Sequence, residues 1–431
     1  MSANSKRIVI TGIGPVTPLG IGKDEVLKGI STKRDGLTLR DFKLNKDTWD
    51  KSYIHLVDGF DINHFGIDKR DLEYIKNWKE GEDNKDLLFL LGAVKLACQD
   101  ADIDYLQEND HLSLIVTHEN PGLEQCLLKT YKEAFGLYKK TKDLREYDFY
   151  DEVFRKTMKL GYESQSFMLL FHVARTFCVK NYSLLINNAC ASGLFAIEAA
   201  SDLIRLGKAK QVIVVAGDCP DVLKTIWLKS INMYQQDGRI KPFDLNAQGF
   251  VMGEGAVALI IEDYEYAKER NAHVYTEYLG GGFRLEGWGV TTPMIGGQFY
   301  QEAIRDALRV SKINAGDVDL VCVHGVGTPS SDYYEAKAIT DVFGKAKVLI
   351  TALKPYIGHN LGGSNLIEVA ILLLSLQKKT IPPILNTTKP NDKLGLDLLL
   401  KEKKASVDIF MKTSCAFAGY NAASIFRMES E

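Results

Sequence analysis

The sequence predicts an α/β protein built from two similar halves, and three observations carry that prediction. Segments of strand character alternate with segments of helical spacing. Residues 111–136, "HLSLIVTHENPGLEQCLLKTYKEAFG", and 319–344, "DLVCVHGVGTPSSDYYEAKAITDVFG", both read as strand, turn and helix, with His118 and His324 at matching strand ends. The next unit repeats as well, in "YSLLINNACASGLFAIEAASDLIRLG" (182–207) and "KVLITALKPYIGHNLGGSNLIEVAILLLSLQ" (347–377). Such duplication points to pseudo-twofold halves, here 1–255 and 256–431.

A chain of 431 residues exceeds one small core and suits this division. The net charge of −3 lacks the basic excess of a nucleic-acid binder, so that class is set aside. An acidic macromolecular partner could dock only on a local basic patch. The seven cysteines (98, 126, 178, 190, 219, 322, 415) form no CxxC pair, which reads as reduced thiols in a cytoplasmic protein. Cys322 and His324 lack a second ligand pair, so no metal site is expected. The apolar run before Gly12 is too short for a signal peptide, and "VAILLLSL" (369–376) is too short for a membrane span.

"TGIGPVTPLG" superficially resembles a dinucleotide fingerprint. Pro15 and Pro18 break the helix opening it needs, and no third glycine has the right spacing. "GGGF" at 280–283 reads as a strand-edge turn. Residues 129–165 are charged and aromatic at helical spacing. They are either a solvated helical excursion or a lid, pocket wall or subunit contact.

Chemistry concentrates in three loops. Cys190 stands where a strand gives way to a helix whose apolar face runs through 194, 197, 200 and 204. The positive end of the helix dipole stabilises a thiolate there and favours a nucleophilic sulfur. A lone buried cysteine is more often inert packing. His324 leads the Gly-rich "VHGVGTPSSD", and Lys354, His359 and Glu368 lie in "LKPYIGHNLGGSNLIEVAI". One cysteine and two histidines, each at a strand-to-helix loop, outweigh the structural reading of any one alone.

These segments resemble the β-ketoacyl-[acyl-carrier-protein] synthases of the thiolase superfamily. The resemblance runs nearly the whole chain: "VITGIGPVTPLG", "NNACASGLFAI", "KPFDLNAQGFVMGEGAVALIIED", "HGVGTPSSDYYEAKAI", "LKPYIGHNLGG" and "FAGYNAASIF". It implies a thiolase fold, a five-layered αβαβα sandwich, and an obligate dimer. It implies Cys190 as acyl-accepting nucleophile, His324 and His359 as the histidine pair of the elongating branch, and Lys354 with Glu368 as their support. It implies an oxyanion hole from the backbone N–H of Cys190 and Phe417, and a substrate channel touching Thr328, Ala416 and Ala189. No cofactor of its own is implied, because substrates arrive on the phosphopantetheine of acyl carrier protein. Lys69 and Arg70 are candidate contacts for that acidic carrier, and an ordinary solvated helix is the competing reading.

The chain departs from the family in places. Ala416 and Ala418 replace glycines of the gate loop, and alanine restricts the backbone more. Val326 replaces a threonine that bonds the pantetheine arm, and "THENPGLEQ" replaces a small, Gly-rich turn. These changes favour a type II polyketide or polyene pathway over housekeeping fatty-acid synthesis. Three alternatives follow. The chain could be the active half of a heterodimer with a chain-length-factor-like homologue. It could be such a factor itself, which the intact Cys190, His324 and His359 oppose. It could be a thiolase, for which Cys415 lacks the Cys-x-Gly context.

Overall fold

The computed structural model describes residues 6–44, 47–78, 84–106, 109–119, 123–140, 146–163, 165–220, 222–344 and 348–429. The first half supplies β1 (Ile8–Thr17), β2 (Leu112–Thr117), β3 (Ser183–Ile186), β4 (Gln211–Asp218) and β5 (Gly255–Asp263). The second supplies β6 (Thr276–Leu285), β7 (Leu320–Cys322), β8 (Leu349–Thr351), β9 (Ile409–Cys415) and β10 (Tyr420–Met428). The spatial orders are β3-β2-β4-β5-β1 and β8-β7-β9-β10-β6, the same permutation twice. In both sets three neighbouring strands are parallel, and the fifth in sequence runs antiparallel to both of its neighbours. A short antiparallel join of Ile8–Ile10 with Thr276–Tyr278 links the sets into one continuous sheet.

Helices fill the layers around it: α1 (Lys85–Asp100), α2 (Leu123–Lys140), α3 (Glu146–Glu163), α4 (Ser166–Thr176), α5 (Ser192–Arg205), α6 (Val222–Ser230), α7 (Gln298–Ser311), α8 (Pro329–Phe343) and α9 (Ser364–Gln377). α5 and α9 lie between the two strand sets, α1 and α4 cover the first set, and α7 covers the second with α8 packed beside it. Patterning explains the placement. Every residue of α9 from Ser364 to Leu376 is buried, so the run "VAILLLSL" is a central helix. Among the described residues no helix is long and apolar enough to cross a membrane. β2 and β4 are buried along their whole length, as parallel strands covered on both faces must be.

Small residues mark the close approaches. A Cβ on Gly14 of β1 would lie 2.0 Å from the carbonyl oxygen of Ala93 on α1, and one on Gly282 of β6 would lie 2.0 Å from that of Ala303 on α7. The first strand of each half therefore packs its outer helix against a glycine, the same device twice. "TGIGPVTPLG" is thus largely strand, as its prolines required. "GGGF" is corrected from a turn to the interior of β6, with a register shift between Tyr278 and Gly280. The boundary between halves also moves. β5 pairs with β1 and β4, so the first half extends through Asp263 and not only to 255.

The excursion forms two helices, α2 and α3, packed on each other. Tyr131, Phe135 and Tyr138 on α2, and Tyr150, Phe154, Met158 and Tyr162 on α3, are all exposed.

In the central layer, a Cβ on Gly193 would stand 2.9 Å from the backbone nitrogen of Leu366. Gly193→Ala is expected to push α5 and α9 apart and to destabilise the protein by about 1–3 kcal/mol, measured by denaturant unfolding.

Candidate active site

Cys190 sits at the tip of the turn from β3 into α5, one residue before the helix N-cap, Ala191. The turn is tight: Ala189 takes a left-handed φ of 49°. Ser192 Oγ accepts from Asn188 N–H at 2.8 Å and donates to the carbonyl of Ala189 at 2.6 Å. Asn365 of α9 donates to the carbonyl of Cys190 and lies 3.0 Å from Ser414 Oγ, which ties the turn to both halves. Cys190, His324, His359, Thr328, Ala416 and Phe417 line one cavity, with Phe250, Val326 and Cys415 beside them. Ala189 is not among the lining residues. It shapes the turn through its backbone. Cys415 faces the same cavity, and burial raises its thiol pKa well above the usual range.

The helix-dipole expectation of a stabilised thiolate at Cys190 is overturned. Burial of the sulfur, followed by the charge of Glu119, raises its pKa and favours the thiol. The Lys354 charge, a hydrogen bond from the Phe417 backbone N–H and the Lys224 charge work the other way without prevailing. The sulfur is therefore a thiol in the substrate-free protein.

The two imidazoles stand with ring centroids 5.6 Å apart at 79°. The hydrogen bonds assign their tautomers. His359 Nδ1 accepts from the Leu361 backbone N–H at 3.1 Å and faces Ser364 Oγ at 2.9 Å. That hydroxyl already accepts from Asn360 N–H at 2.8 Å, so it donates to the ring. His324 Nδ1 faces the Lys354 ammonium at 3.4 Å, which has only hydrogens to give. In both rings Nδ1 accepts and the proton lies on Nε2. Burial, then the charge of Lys354, lowers both pKa values well below the usual histidine value, so both rings are neutral.

Lys354 and Glu368 lie beneath His324, fully buried. The ammonium donates to the carbonyl of His324 at 2.8 Å and to Glu368 at 3.0 Å. The backbone of His324 is held from the other side by Glu335, a residue that sequence reasoning missed. It accepts from His324 N–H and Gly325 N–H at 2.8 Å each, and from the hydroxyls of Tyr300 and Thr413. A buried glutamate in a half-buried helix was the only available signal. Lys412, also missed, is bonded to the other oxygen of Glu368 at 2.8 Å.

The gate loop shows the consequence of its alanines. Ala418 takes φ 60°, a left-handed conformation that costs a non-glycine residue roughly 1–2 kcal/mol. Its N–H donates to Val290 at 2.6 Å, and Gly419 O accepts from Glu286 N–H at 3.0 Å, so the loop is latched to the segment after β6. Phe417 packs edge-on against Trp227 of α6 at 5.6 Å. Val326 offers an apolar wall where a hydroxyl was the family expectation, and Thr328 lines the cavity from the N-cap of α8.

Lys69 and Arg70, both exposed, open the helix Lys69–Trp78 and are not among the residues lining the cavity. Arg70 is paired with Asp68 at 2.7 Å, so part of the predicted basic patch is neutralised within the chain. His118, the counterpart of His324 in the first half, is buried against Asp86 at 3.0 Å and Asp218 at 3.6 Å. Burial opposes its charge, but the two carboxylates outweigh that and raise its pKa. The turn 120–122 lies outside the described residues.

Comparison with known proteins agrees with this geometry. Residues 136–267 match the β-ketoacyl synthase N-terminal domain, and residues 275–388 match the β-ketoacyl synthase C-terminal domain. The chain belongs to the β-ketoacyl synthase family. It is 25% identical to a 3-oxoacyl-[acyl-carrier-protein] synthase 2 of Vibrio cholerae, over 98% of this chain and 99% of that one. It is 28% identical to a putative mitochondrial 3-oxoacyl-[acyl-carrier-protein] synthase of Schizosaccharomyces pombe, over 98% and 99%. Among solved structures, the ishigamide ketosynthase/chain length factor matches with TM-score 0.85 at 23% identity, over 99% of this chain and 100% of that one. That likeness confirms the thiolase fold.

Neutral buried histidines make stability depend on pH. His55, whose pKa is pushed down to about 4 by burial, joins His324 and His359 in this group. The unfolded chain binds protons at these sites near pH 6.5 and the folded chain does not. Their contribution is complete above that pH and is lost as pH falls toward the folded values, with a slope of about 1.4 kcal/mol per pH unit per group. Groups with raised values, such as His118 and Asp332, act in the opposite sense, so the test is the difference. As pH falls from 7.5 to 5.5, the melting temperature of His359→Asn is expected to shift upward relative to that of the unaltered protein, because one depressed group is gone.

Proposed function

We propose that this chain is a decarboxylating 3-oxoacyl-[acyl-carrier-protein] synthase of a type II polyketide or fatty-acid-type pathway. One observation carries the reading: a buried thiol, reached by the Phe417 N–H, shares a cavity with two neutral imidazoles whose protons lie on Nε2.

In the first half-reaction Cys190 attacks an acyl thioester carried on phosphopantetheine. The developing oxyanion takes hydrogen bonds from the N–H groups of Cys190 and Phe417. As the C–S bond to pantetheine breaks, the thiol proton of Cys190 passes to the departing sulfur, so the exchange consumes no net proton. A thiol that rests protonated suits this step. In the second, malonyl thioester loses its carboxylate as carbon dioxide, and the electron pair of that C–C bond becomes an enolate. The Nε2–H groups of His324 and His359 stabilise the enolate oxygen, a role that requires them neutral and protonated at Nε2. The enolate carbon then attacks the acyl carbonyl on Cys190. The tetrahedral intermediate expels the Cys190 sulfur, which takes a proton from solvent. Lys354 and Glu368 hold His324 in place. Thr328, Ala416 and Val326, which line the cavity, are the candidate contacts for the pantetheine arm.

Two arguments favour the polyketide-type pathway: Ala416, Ala418 and Val326 depart from the family pattern, and the relatives include polyketide β-ketoacyl synthases. One is an oxytetracycline polyketide putative β-ketoacyl synthase of Streptomyces rimosus, 29% identical over 56% of this chain and 59% of that one. Pairing with a chain-length-factor-like homologue is supported by the assembly of the ishigamide relative. The partner in the first step is acyl carrier protein, for which the exposed Lys69 remains a candidate contact.

Cys190→Ala is expected to abolish acyl-enzyme formation and condensation, seen by intact mass, while malonyl decarboxylation persists. His359→Ala should instead permit acylation and slow decarboxylation by about 100-fold or more. Condensation by Cys190→Ala would overturn the assignment. Native mass spectrometry of the chain expressed alone checks the assembly: an active homodimer removes the need for a heterologous partner.

A further inference from the structure

Beneath His324 the protein buries more charge than the proposed reaction uses. Lys412, on β9 between the histidine strand and the gate loop, is fully buried. An ammonium has three hydrogens to donate, and three oxygens receive them: Val323 O at 2.9 Å, Thr413 O at 2.9 Å and Glu368 Oε2 at 2.8 Å. Lys354 reaches His324 O at 2.8 Å, Glu368 Oε1 at 3.0 Å, Glu368 Oε2 at 3.3 Å and His324 Nδ1 at 3.4 Å. One carboxylate thus lies between two ammonium groups. Together these grip the successive carbonyls of residues 323 and 324, where the strand ends and the imidazole begins.

We infer that Lys412 is a positioning residue of the condensation site, a resident cation that shares the Glu368 carboxylate with Lys354 and holds the end of β7, so that Lys354 stays facing His324. The inference rests on the reaction proposed above. The charge states agree with it. Burial pulls Lys412 toward the neutral amine, but Glu368 outweighs burial and raises its pKa. Burial lowers that of Lys354, against the pull of Glu368. Lys412 also adds to the positive field that lowers the pKa of both His324 and His359. It therefore helps keep the imidazoles neutral without touching substrate.

The groups facing this cluster are Glu335, Asp332 and Cys322 from the second half and Lys354 with Glu368 from the α9 side. Asp332 is pushed up to about 8 by burial, and its carboxyl accepts from Phe243 and Gly327 N–H. The other cations near the imidazoles are Lys354, whose charge acts on both rings, and Lys224, whose charge acts on His359. Neither takes the place of Lys412 on the Val323 and Thr413 carbonyls.

The test compares Lys412→Gln, Lys412→Met and Lys412→Arg for Cys190 acylation and for condensation across pH. Removing the charge is expected to lower kcat for condensation by about 10- to 100-fold, with KM for malonyl thioester and the acylation rate little changed. The acid limb of kcat should move to higher pH, because both imidazoles lose a neighbouring cation and protonate more easily. Lys412→Arg should keep the limb near its original pH. In Lys412→Ala, added propylamine should restore rate, and tetramethylammonium at equal ionic strength should not. A folded Lys412→Gln with unchanged kcat and an unmoved limb overturns the inference. So does a loss of activity with an unmoved limb and no rescue, which is the signature of a merely structural role.

A measurement on the unaltered protein covers variants that fail to fold. In a carbon-13 lysine NMR titration, one buried lysine should stay protonated above pH 10.5 and another should titrate below it. Ordinary titration of both overturns the role of Lys412. The titration needs no substrate, so failure of the unaltered chain to condense would strike the proposed reaction and leave this result independent of it.

Discussion

A single buried carboxylate organises the candidate active site. Glu368 has no contact with water, and its oxygens are shared by Lys354 and Lys412. Buried ions are costly unless geometry and hydrogen bonding are nearly complete, and here each ammonium finds at least three acceptors. This satisfaction lets the protein place positive charge directly under two imidazoles. The consequence is chemical: rings close to buried cations stay neutral, and neutral rings with Nδ1 occupied have one proton each to offer, on Nε2.

The same economy governs the sulfur. Its environment holds it as a thiol, because burial and the charge of Glu119 outweigh the cations and the Phe417 N–H. Thioester exchange moves a proton from one sulfur to another, so a resting thiolate is unnecessary. Beside the sulfur in the same cavity lie Ala416 and Phe417 of the terminal loop. That loop carries a strained alanine at position 418 and is pinned by hydrogen bonds to Val290 and Glu286.

Duplication explains how two sites of equal backbone geometry diverged. Both halves use the same strand order, the same glycine contact between first strand and outer helix, and a histidine at the end of the second strand. In the second half that histidine is neutral and lines a cavity. In the first it is held between Asp86 and Asp218 and favours its charged form. Neighbouring side chains, and not the backbone, decide which histidine can serve chemistry.

Much of this was legible in the chain. Alternating strand and helix patterns, repeated in order, specify the α/β class and the duplication, because hydrophobic periodicity is a local property. The turns carrying Cys190, His324 and His359 were visible because reactive side chains beside glycines are a local signal too. Residues that act through distant partners left no such mark. Glu335 is one acidic residue on a helix until the fold brings it to the backbone of His324. Lys412 sits on a strand that no sequence pattern links to Glu368. The protonation state of Cys190 depends on total burial and on charges from three other segments, so the helix dipole alone gave the wrong direction. Local patterning determined which elements form and which loops carry the chemistry. Long-range packing alone decided the charge, tautomer and accessibility of the groups those loops present, because desolvation and Coulomb interaction depend on neighbours in space.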